Sequence, residues 1–198
     1  MADVTISQLT PGTPAGTAVI PYSQGGNTNS TLASNLTAGI ISSVIKQIQY
    51  NYYDGVWYTS STAKQEVPGF SVTITPTTVS SKIIFYLSSW GGSSHYATYV
   101  GLLGFIYRST TAGGDVELPL TVAPVQGNDR AHLVFSSHGQ YDVAAATIMM
   151  VDTPNTTAAV TYKIYARAEQ NGYNGFINRS ANGATGPQLR SWIYAVEF

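Results

Sequence analysis

Residues 148–180 have the sequence IMMVDTPNTTAAVTYKIYARAEQNGYNGFINRS, and this stretch decides the fold class. Apolar side chains supplied by Met149 and Val151 on one side of a polar turn, and by Val160, Tyr162 and Ile164 on the other, predict two strands. In the turn, 152–155, the proline fixes its own φ while Asp and Asn stabilise a bend. A third strand follows the second. Because the stretch contains no catalytic or ligand-binding motif, it predicts packed β-structure.

Length and composition exclude several classes of protein. At 198 residues the chain suffices for one sizeable core, or for one all-β domain with an appended arm. Only 10% of residues are charged and the net charge is -1, so no basic surface is offered to nucleic acid. No apolar run approaches the roughly 18 to 20 residues of a membrane span, and no basic region precedes an apolar core at the N-terminus. We expect no nucleic-acid binding, no membrane insertion and no classical export signal.

The surface is unusually poor in charge for a soluble monomer. Apolar residues make up 43% of the chain and aromatic residues 12%, whereas ordinary soluble surfaces carry about a quarter charged residues. Obligate subunit interfaces are depleted in charge and rich in Tyr, Trp and Phe. Cysteine is absent, so disulfides cannot compensate for a small core. The composition therefore predicts that subunit contacts cover part of the surface.

From Lys46 onward, short alternating segments are separated by turns at the spacing of a sandwich or jelly roll, about 8 to 12 residues. The clearest alternation is FSVTIT at 70–75, which a proline ends. Gly91-Gly92 and Gly113-Gly114 are interpreted as turns. The candidate strands are 47–53, 56–60, 70–75, 82–90, 99–107, 131–136, 143–151, 160–168, 175–178 and 188–198. The prediction is an all-β jelly-roll β-sandwich of about eight to ten strands over residues 46–198.

Residues 1–45 differ from the rest because they hold one charged side chain, Asp3, among many prolines and glycines. We predict a mostly extended N-terminal attachment arm whose short apolar clusters, 4–6 and 18–20, could add edge strands to another surface. A disordered linker is the alternative, and 37–44 could form a short helix. The candidate attachment residues are Ile6, Leu9, Val19, Ile20, Pro21 and Tyr22.

Three segments resemble structural proteins of tailed phages. The pattern D-x-P-x-T-x-x-x-V-T-Y-x-[IV], followed by a Gly-rich turn and I-N-R, is similar to the C-terminal half of small jelly-roll proteins of phage virions. Residues 74–84, I-T-P-x-x-x-S-S-K-I-I, resemble phage jelly-roll modules, and residues 6–26 resemble N-terminal segments that attach phage fibre and accessory proteins to the particle. The first pattern is carried by Asp152, Pro154, Thr156, Val160, Thr161, Tyr162, Ile164, Ile177, Asn178 and Arg179.

The resemblance implies a non-enzymatic structural protein on the virion surface, either a homotrimeric capsid decoration (cement) protein or a head fibre. Its partners would be further copies of itself and the major capsid protein or a tail protein, and no cofactor is expected. We place residues 148–180 in central, trimer-facing strands, with Asp152 and Pro154 shaping the turn and Arg179 paired. Two alternatives stay open: a tail-fibre or receptor-binding tip contacting host polysaccharide, and a secreted carbohydrate-binding jelly-roll module.

Catalytic and metal-binding patterns find little support in the sequence. The three histidines, His95, His132 and His138, have no metal-ligand spacing, and His132 is interpreted as a satisfied edge or interface histidine. Asp115 and Glu117 form a close acidic pair, interpreted as a solvated edge rather than a calcium site. Serines adjacent to histidines point to the opposite face of a strand, and no G-x-S-x-G motif is present. We predict no catalytic and no metal-binding residues.

Two predicted loops, 90–96 and 138–142, combine aromatic rings with amide, hydroxyl and carboxylate groups, a mixture suited to sugar rings. The candidate ligand-contact residues are Trp90, His95, Tyr96, His138 and Tyr141. The competing interpretation places such aromatic residues in subunit interfaces. A denser aromatic cluster lies at residues 50–58, and we expect one of its faces in the core and the other against a neighbouring subunit.

Overall fold

The computed structural model describes residues 19–24, 27–32, 45–94, 100–111, 113–119, 131–137, 142–179 and 189–198. Within these residues the chain forms strands and turns and no helix. The strands are β1 Val19–Gln24, β2 Asn27–Leu32, β3 Gln47–Tyr53, β4 Trp57–Thr59, β5 Gln65–Ile74, β6 Ile83–Ser93, β7 Val100–Thr110, β8 Gly114–Glu117, β9 Leu133–Ser137, β10 Val143–Asp152, β11 Val160–Ala168, β12 Gly175–Ile177 and β13 Ser191–Glu197.

The chain divides into two units, residues 1–46 and residues 47–198. In the first unit β1 and β2 pair antiparallel, with Gln24 opposite Asn27, so that two residues connect the strands. The sequence between them is Gly-Gly, which favours a two-residue hairpin. The arm therefore contains a hairpin where the sequence indicates an extended segment. The pattern does not reveal β2 because NTNSTL has a single apolar residue.

Three strands of the second unit are interrupted. β12 and β13 both pair with β6, at Gly91–Ser93 and Ile83–Ser88, so they lie end to end, with an interruption between Ile177 and Ser191. β4 and β3 lie end to end in the same way beside β12 and β13. β8 and β9 lie end to end beside β7.

Joining the interrupted strands gives a jelly roll. The first sheet has the order β3-β13-β6-β10, extended by β4 and β12, and the second has the order β5-β11-β7 with β8 and β9 beside β7. Numbered along the chain as joined strands, these orders are 1-8-3-6 and 2-7-4-5. Two antiparallel sheets with these orders are the two Greek keys of a jelly roll. The predicted fold class is confirmed.

The core lies between the inner faces of the two sheets. Side chains alternate strictly along β11 and β13, with every second residue buried. The rings of Phe85, on β6, and Tyr162, on β11, meet across the core with centroids 5.4 Å apart. Each large side chain buried in this way stabilises the fold by about 1.5 to 3 kcal/mol. The largest buried side chains are Tyr162, Phe70, Phe85, Phe105, Phe135 and Phe176.

Asp152, the residue before the turn that follows β10, joins the two sheets, a role that the sequence does not indicate. Its carboxylate accepts hydrogen bonds from Arg108 Nη1 at 2.8 and 3.0 Å and from the Tyr162 hydroxyl at 2.9 Å. Asp152 ends β10 in the first sheet, whereas both donors belong to the second sheet. In the turn itself Asn155 has a φ of 54°. β11 is a central strand, but β10 lies at the edge of its sheet, which corrects that part of the expectation.

Gly91 and Gly92 lie inside β6 and do not form the predicted turn. A Cβ atom on Gly92 would lie 2.0 Å from the carbonyl oxygen of Asp142, and one on Gly91 would lie 2.8 Å from the Phe135 ring. Glycine is needed at both positions because a neighbouring backbone or ring approaches the strand too closely to leave room for a Cβ atom. Gly113 lies in a turn as predicted, and Gly114, with a φ of 68°, begins β8.

Asn178 closes the gap between β12 and β13. Its Nδ2 donates to the carbonyl oxygen of Tyr53 at 2.5 Å, and its Oδ1 accepts from Ser191 Oγ at 2.6 Å. Its own N–H donates to the carbonyl oxygen of Trp90 at 3.0 Å. Asn178 is fully buried and has a φ of 58°, a left-handed conformation that asparagine tolerates better than most residues. One side chain thus replaces ladder hydrogen bonds that the interruption removes.

His132 performs the same task between β8 and β9. Its Nε2 donates to the carbonyl oxygen of Leu118 at 2.9 Å, and its Nδ1 accepts from the N–H of Ile106 at 3.3 Å. Burial lowers the pKa of this imidazole, with a smaller opposing effect of the Leu118 carbonyl. His132 is therefore satisfied, as the sequence suggests, but it lies in the interior of the jelly roll and not at an edge.

Candidate interaction surface

The outer face of the first sheet is apolar and rich in aromatic rings. Outward-facing residues of β3, β13, β6 and β10 stand side by side in rows, because each strand contributes every second residue. We call this surface the aromatic face. It consists of the row Ile48, Val196, Ile84 and Val151, the row Tyr50, Tyr194, Tyr86 and Met149, and the row Tyr52, Trp192, Ser88 and Thr147.

The rings of the aromatic face pack against one another and remain open to solvent. Tyr194 lies at the centre, with its ring centroid 5.9 Å from that of Tyr50, 6.0 Å from that of Tyr86 and 6.4 Å from that of Trp192. At the two edges of the sheet, Met149 on β10 is 68% exposed and Tyr50 on β3 is 63% exposed. Mutual ring packing fixes these side chains in place before any partner arrives, so a partner would order few of them on binding.

No residue of these three rows carries a charge. At one end of the aromatic face Arg190 and Asp54 pair with each other, and at the other end Lys82, which precedes β6 and alternates outward with Ile84, is exposed. Arg190 forms a two-pronged ion pair with Asp54, with N···O distances of 2.5 and 3.0 Å. The guanidinium carbon lies 4.4 Å from the ring centroid of Tyr52, a cation–π geometry. Arg190 thus extends the ring packing at one end of the face.

The outer face of the second sheet is different in kind, because it is built from charged and hydroxyl groups. Lys163 lies between Glu66 and Asp115, with both N···O distances at 3.2 Å. Lys64 pairs with Glu117 at 2.7 Å. The Tyr165 hydroxyl donates to Asp115, and the Tyr107 hydroxyl donates to Glu117. The jelly roll therefore has one polar outer face suited to water and one apolar outer face that is not.

This network explains the acidic pair found in the sequence. Asp115 and Glu117 lie on one side of β8, but each carboxylate has its own lysine and its own tyrosine. The hydrogen bond from Tyr165, followed by those from Ser109 and Lys163, lowers the pKa of Asp115. Among the described residues, no three His, Asp or Glu side chains cluster in a way that would hold a metal ion.

A buried carboxylate, Glu197, lies where β13 meets the start of β3 and the turn after β5. It accepts hydrogen bonds from the N–H of Thr77 at 2.8 Å, from Gln47 Nε2 at 2.6 Å, and from the hydroxyls of Ser81 and Thr77. Burial alone would raise its pKa, but these donors outweigh burial and hold the pKa at about 2. The carboxylate joins elements of both sheets, so its role is structural.

The candidate ligand-contact residues do not form one described site. Trp90 lies in β6, 37% exposed, and not in a loop. The candidates His95, Tyr96, His138 and Tyr141 lie outside the described residues. The attachment candidates Val19, Ile20, Pro21 and Tyr22 lie in β1, whereas Ile6, Leu9 and the candidate helix at 37–44 lie outside the described residues.

One face of the aromatic cluster at 50–58 packs on the core, as the sequence predicts, and the contact of the other face with a neighbouring subunit stays a prediction. Tyr53 stacks on Phe70 with centroids 5.1 Å apart, whereas Tyr50 and Tyr52 point outward. Sequence reasoning does not single out Trp192 and Tyr194, which are the centre of the face. The signal is present in WIYAV at 192–196, where both alternating sets of side chains are apolar, as in a strand covered on both sides.

Comparisons with known proteins give no family. No protein family model matches the chain, and no curated protein is similar to it in sequence. Among solved structures, the VP2 subviral particle of infectious bursal disease virus aligns with 90% of this chain and 44% of the VP2 chain. The sequence identity is 10% and the TM-score is 0.32, a likeness too weak to carry an argument about function. In the described part of the chain, no helix has the length and apolarity needed to cross a membrane.

Proposed function

We propose that this chain is a non-enzymatic structural subunit of a tailed-phage virion, a homotrimeric capsid decoration or head-fibre protein held on the particle by its N-terminal arm. The observation that carries the proposal is the contrast between the two outer faces of the sandwich. An uncharged face of packed rings and aliphatic side chains is costly to leave in water. The polar outer face of the same subunit can remain in contact with water in the assembly.

The polar groups noted above support a structural role. Glu197, His132 and Asn178 are engaged by neighbours within the subunit, and Asp115 and Glu117 are neutralised by lysines. A catalytic group needs a free functional atom beside a substrate site. The resemblance to phage proteins is the reason for placing the protein on a virion. The charge-poor segment 1–45 is the part of the chain to which we assign the attachment.

A tail-fibre tip that contacts host polysaccharide is the second candidate. The observation that favours it is the set of exposed rings on the aromatic face, because aromatic rings also stack on sugars. Trp90, beside Ala145 at the end of the face, would extend such a platform. Copy number on the particle separates the two candidates, since decoration proteins approach the number of capsomers and tail tips do not.

Deleting residues 1–39 is expected to leave a folded jelly roll and to abolish attachment to virions. The physical reason is that residues 47–198 contain their own core, whereas the arm has little to bury on its own. The measurement is co-sedimentation of the full chain and of the truncated chain with phage particles assembled without this protein, with circular dichroism as the control for folding. Equal binding of both chains would contradict the role of the arm, and binding of neither would contradict the virion assignment.

A further inference from the structure

We infer that the aromatic face is the surface through which copies of this chain bind one another, with the faces of three copies meeting about a shared axis. The inference deepens the proposed function, on which it rests for the number of copies. It assigns the contact to the sheet β3-β13-β6-β10 and leaves the polar sheet on the outside of the assembly.

The area of the face matches what a stable interface needs. Tyr50, Tyr52 and Tyr86 are 63%, 46% and 36% exposed, and Met149, Val151 and Ile48 are 68%, 59% and 52% exposed. Because a large side chain offers about 200 Å² when fully exposed, the face presents roughly 700 Å². Each partner in a standard interface buries about 800 Å². The face thus supplies most of the area that one subunit buries against one neighbour, and a subunit of a trimer, which contacts two neighbours, also buries surface beside the face.

The charge pattern selects a second copy over a charged partner. An acidic or basic protein would lose water from its charges against a face that offers no counter-charge. At one border of the face Arg190 and Asp54 already satisfy each other, and the exposed Lys82 lies at the other border, outside the three rows. A second aromatic face brings apolar rows against apolar rows. The composition, rich in Tyr, Trp and Met and lacking Lys and Glu, is that of the buried part of a subunit interface.

The same composition disfavours a polysaccharide as the occupant. Saccharide recognition requires hydrogen-bonding groups that converge on the sugar hydroxyls beside the stacking ring. The row from Ile48 to Val151 offers only aliphatic side chains, and Ser88 and Thr147 lie in a different row. In the central row the only hydroxyl groups are those of the tyrosine side chains.

The test replaces Met149 by lysine, alone and together with Tyr50→Lys, in the full chain. Both positions are strongly exposed, so the subunit should fold, and an introduced charge in a desolvated contact should raise the dissociation constant of the trimer by at least about 100-fold. Val134→Lys is the matched control, because Val134 is 56% exposed on β9 of the other sheet. Masses are measured by sedimentation equilibrium, and folding by circular dichroism and thermal unfolding.

We expect a trimer for the wild-type chain and for Val134→Lys, and folded monomers for the Met149 variants. Trimeric Met149 variants beside a trimeric wild-type chain would overturn the inference and leave the proposed function standing. A monomeric wild-type chain would overturn both. Retardation of that monomer in gels containing soluble hydroxyethylcellulose or dextran, lost on Met149→Lys, would assign the face to a saccharide instead.

Discussion

Replacing Asn178 by alanine is expected to lower the free energy of unfolding by roughly 2 to 5 kcal/mol. The substitution removes the donor that Asn178 gives to the Tyr53 carbonyl oxygen, whereas the Ser191 hydroxyl keeps its hydrogen bond to Ser89 Oγ. A buried polar group left unsatisfied costs about 1 to 3 kcal/mol. Alanine must also adopt a φ of 58°, which costs about 1 to 2 kcal/mol. Urea unfolding at one fixed chain concentration measures the loss.

Asn155 provides the matched control for the Asn178 prediction. It has almost the same backbone angle, with a φ of 54°, but it is exposed in the turn after β10. Asn155→Ala should therefore cost only the backbone contribution, about 1 kcal/mol. Asn178→Gly should fall between the two, because glycine removes the backbone strain but not the loss of hydrogen bonds. Equal costs for Asn155→Ala and Asn178→Ala would contradict the role assigned to the Asn178 side chain.

Replacing Glu197 by glutamine is expected to destabilise the protein by about 3 kcal/mol at pH 7, and by progressively less as the pH falls from about 4.5 to about 2. The carboxyl has a pKa of about 2 when folded and near 4.5 when unfolded. Folding thus favours the ionised form of Glu197. Its contribution to the free energy of unfolding is complete above about pH 4.5 and is lost as the carboxylate of the folded wild-type protein becomes protonated. Glutamine never ionises, so the two stability curves should converge in acid.

Two comparisons isolate the contribution of Glu197. Glu66→Gln removes a carboxylate that is paired with Lys163 on the exposed face, and such pairs contribute less than about 1 kcal/mol. Burial lowers the pKa of His132, which destabilises the fold below about pH 6.5. That effect is common to the wild-type chain and to the variants and cancels in the difference. A gap between wild-type protein and Glu197→Gln that stays constant from pH 7 to pH 2.5 would contradict the account of Glu197.

The alternation of side chains predicts the strands well because it records which face is buried. Residues 47–53 and 160–168 are strands with the bounds that the sequence indicates. For β5 the prediction begins at Phe70, whereas the strand begins at Gln65. Pro68 and Gly69 suggest a break, but the pairing of β5 with β11 shifts register there. A proline and a glycine with a φ of 79° fit such an irregularity, since it needs no regular ladder bond.

The interaction surface is only half predictable from sequence. Composition indicates that part of the surface is covered, but it does not say which residues share a face. That depends on register, because Tyr50, Tyr194 and Met149 come from distant parts of the chain and meet only when β3, β13, β6 and β10 pair in one order. The interruption between β12 and β13 is equally hidden. Nothing local at Asn178 indicates that Tyr53 and Ser191 will need it.

The mass of the full wild-type chain in solution tests the central claim most directly, because an uncovered aromatic face is the observation from which the assembly follows. Sedimentation equilibrium across micromolar concentrations should give three times the 21.1 kDa mass of one chain. A chain that remains at 21.1 kDa across that range would contradict the account.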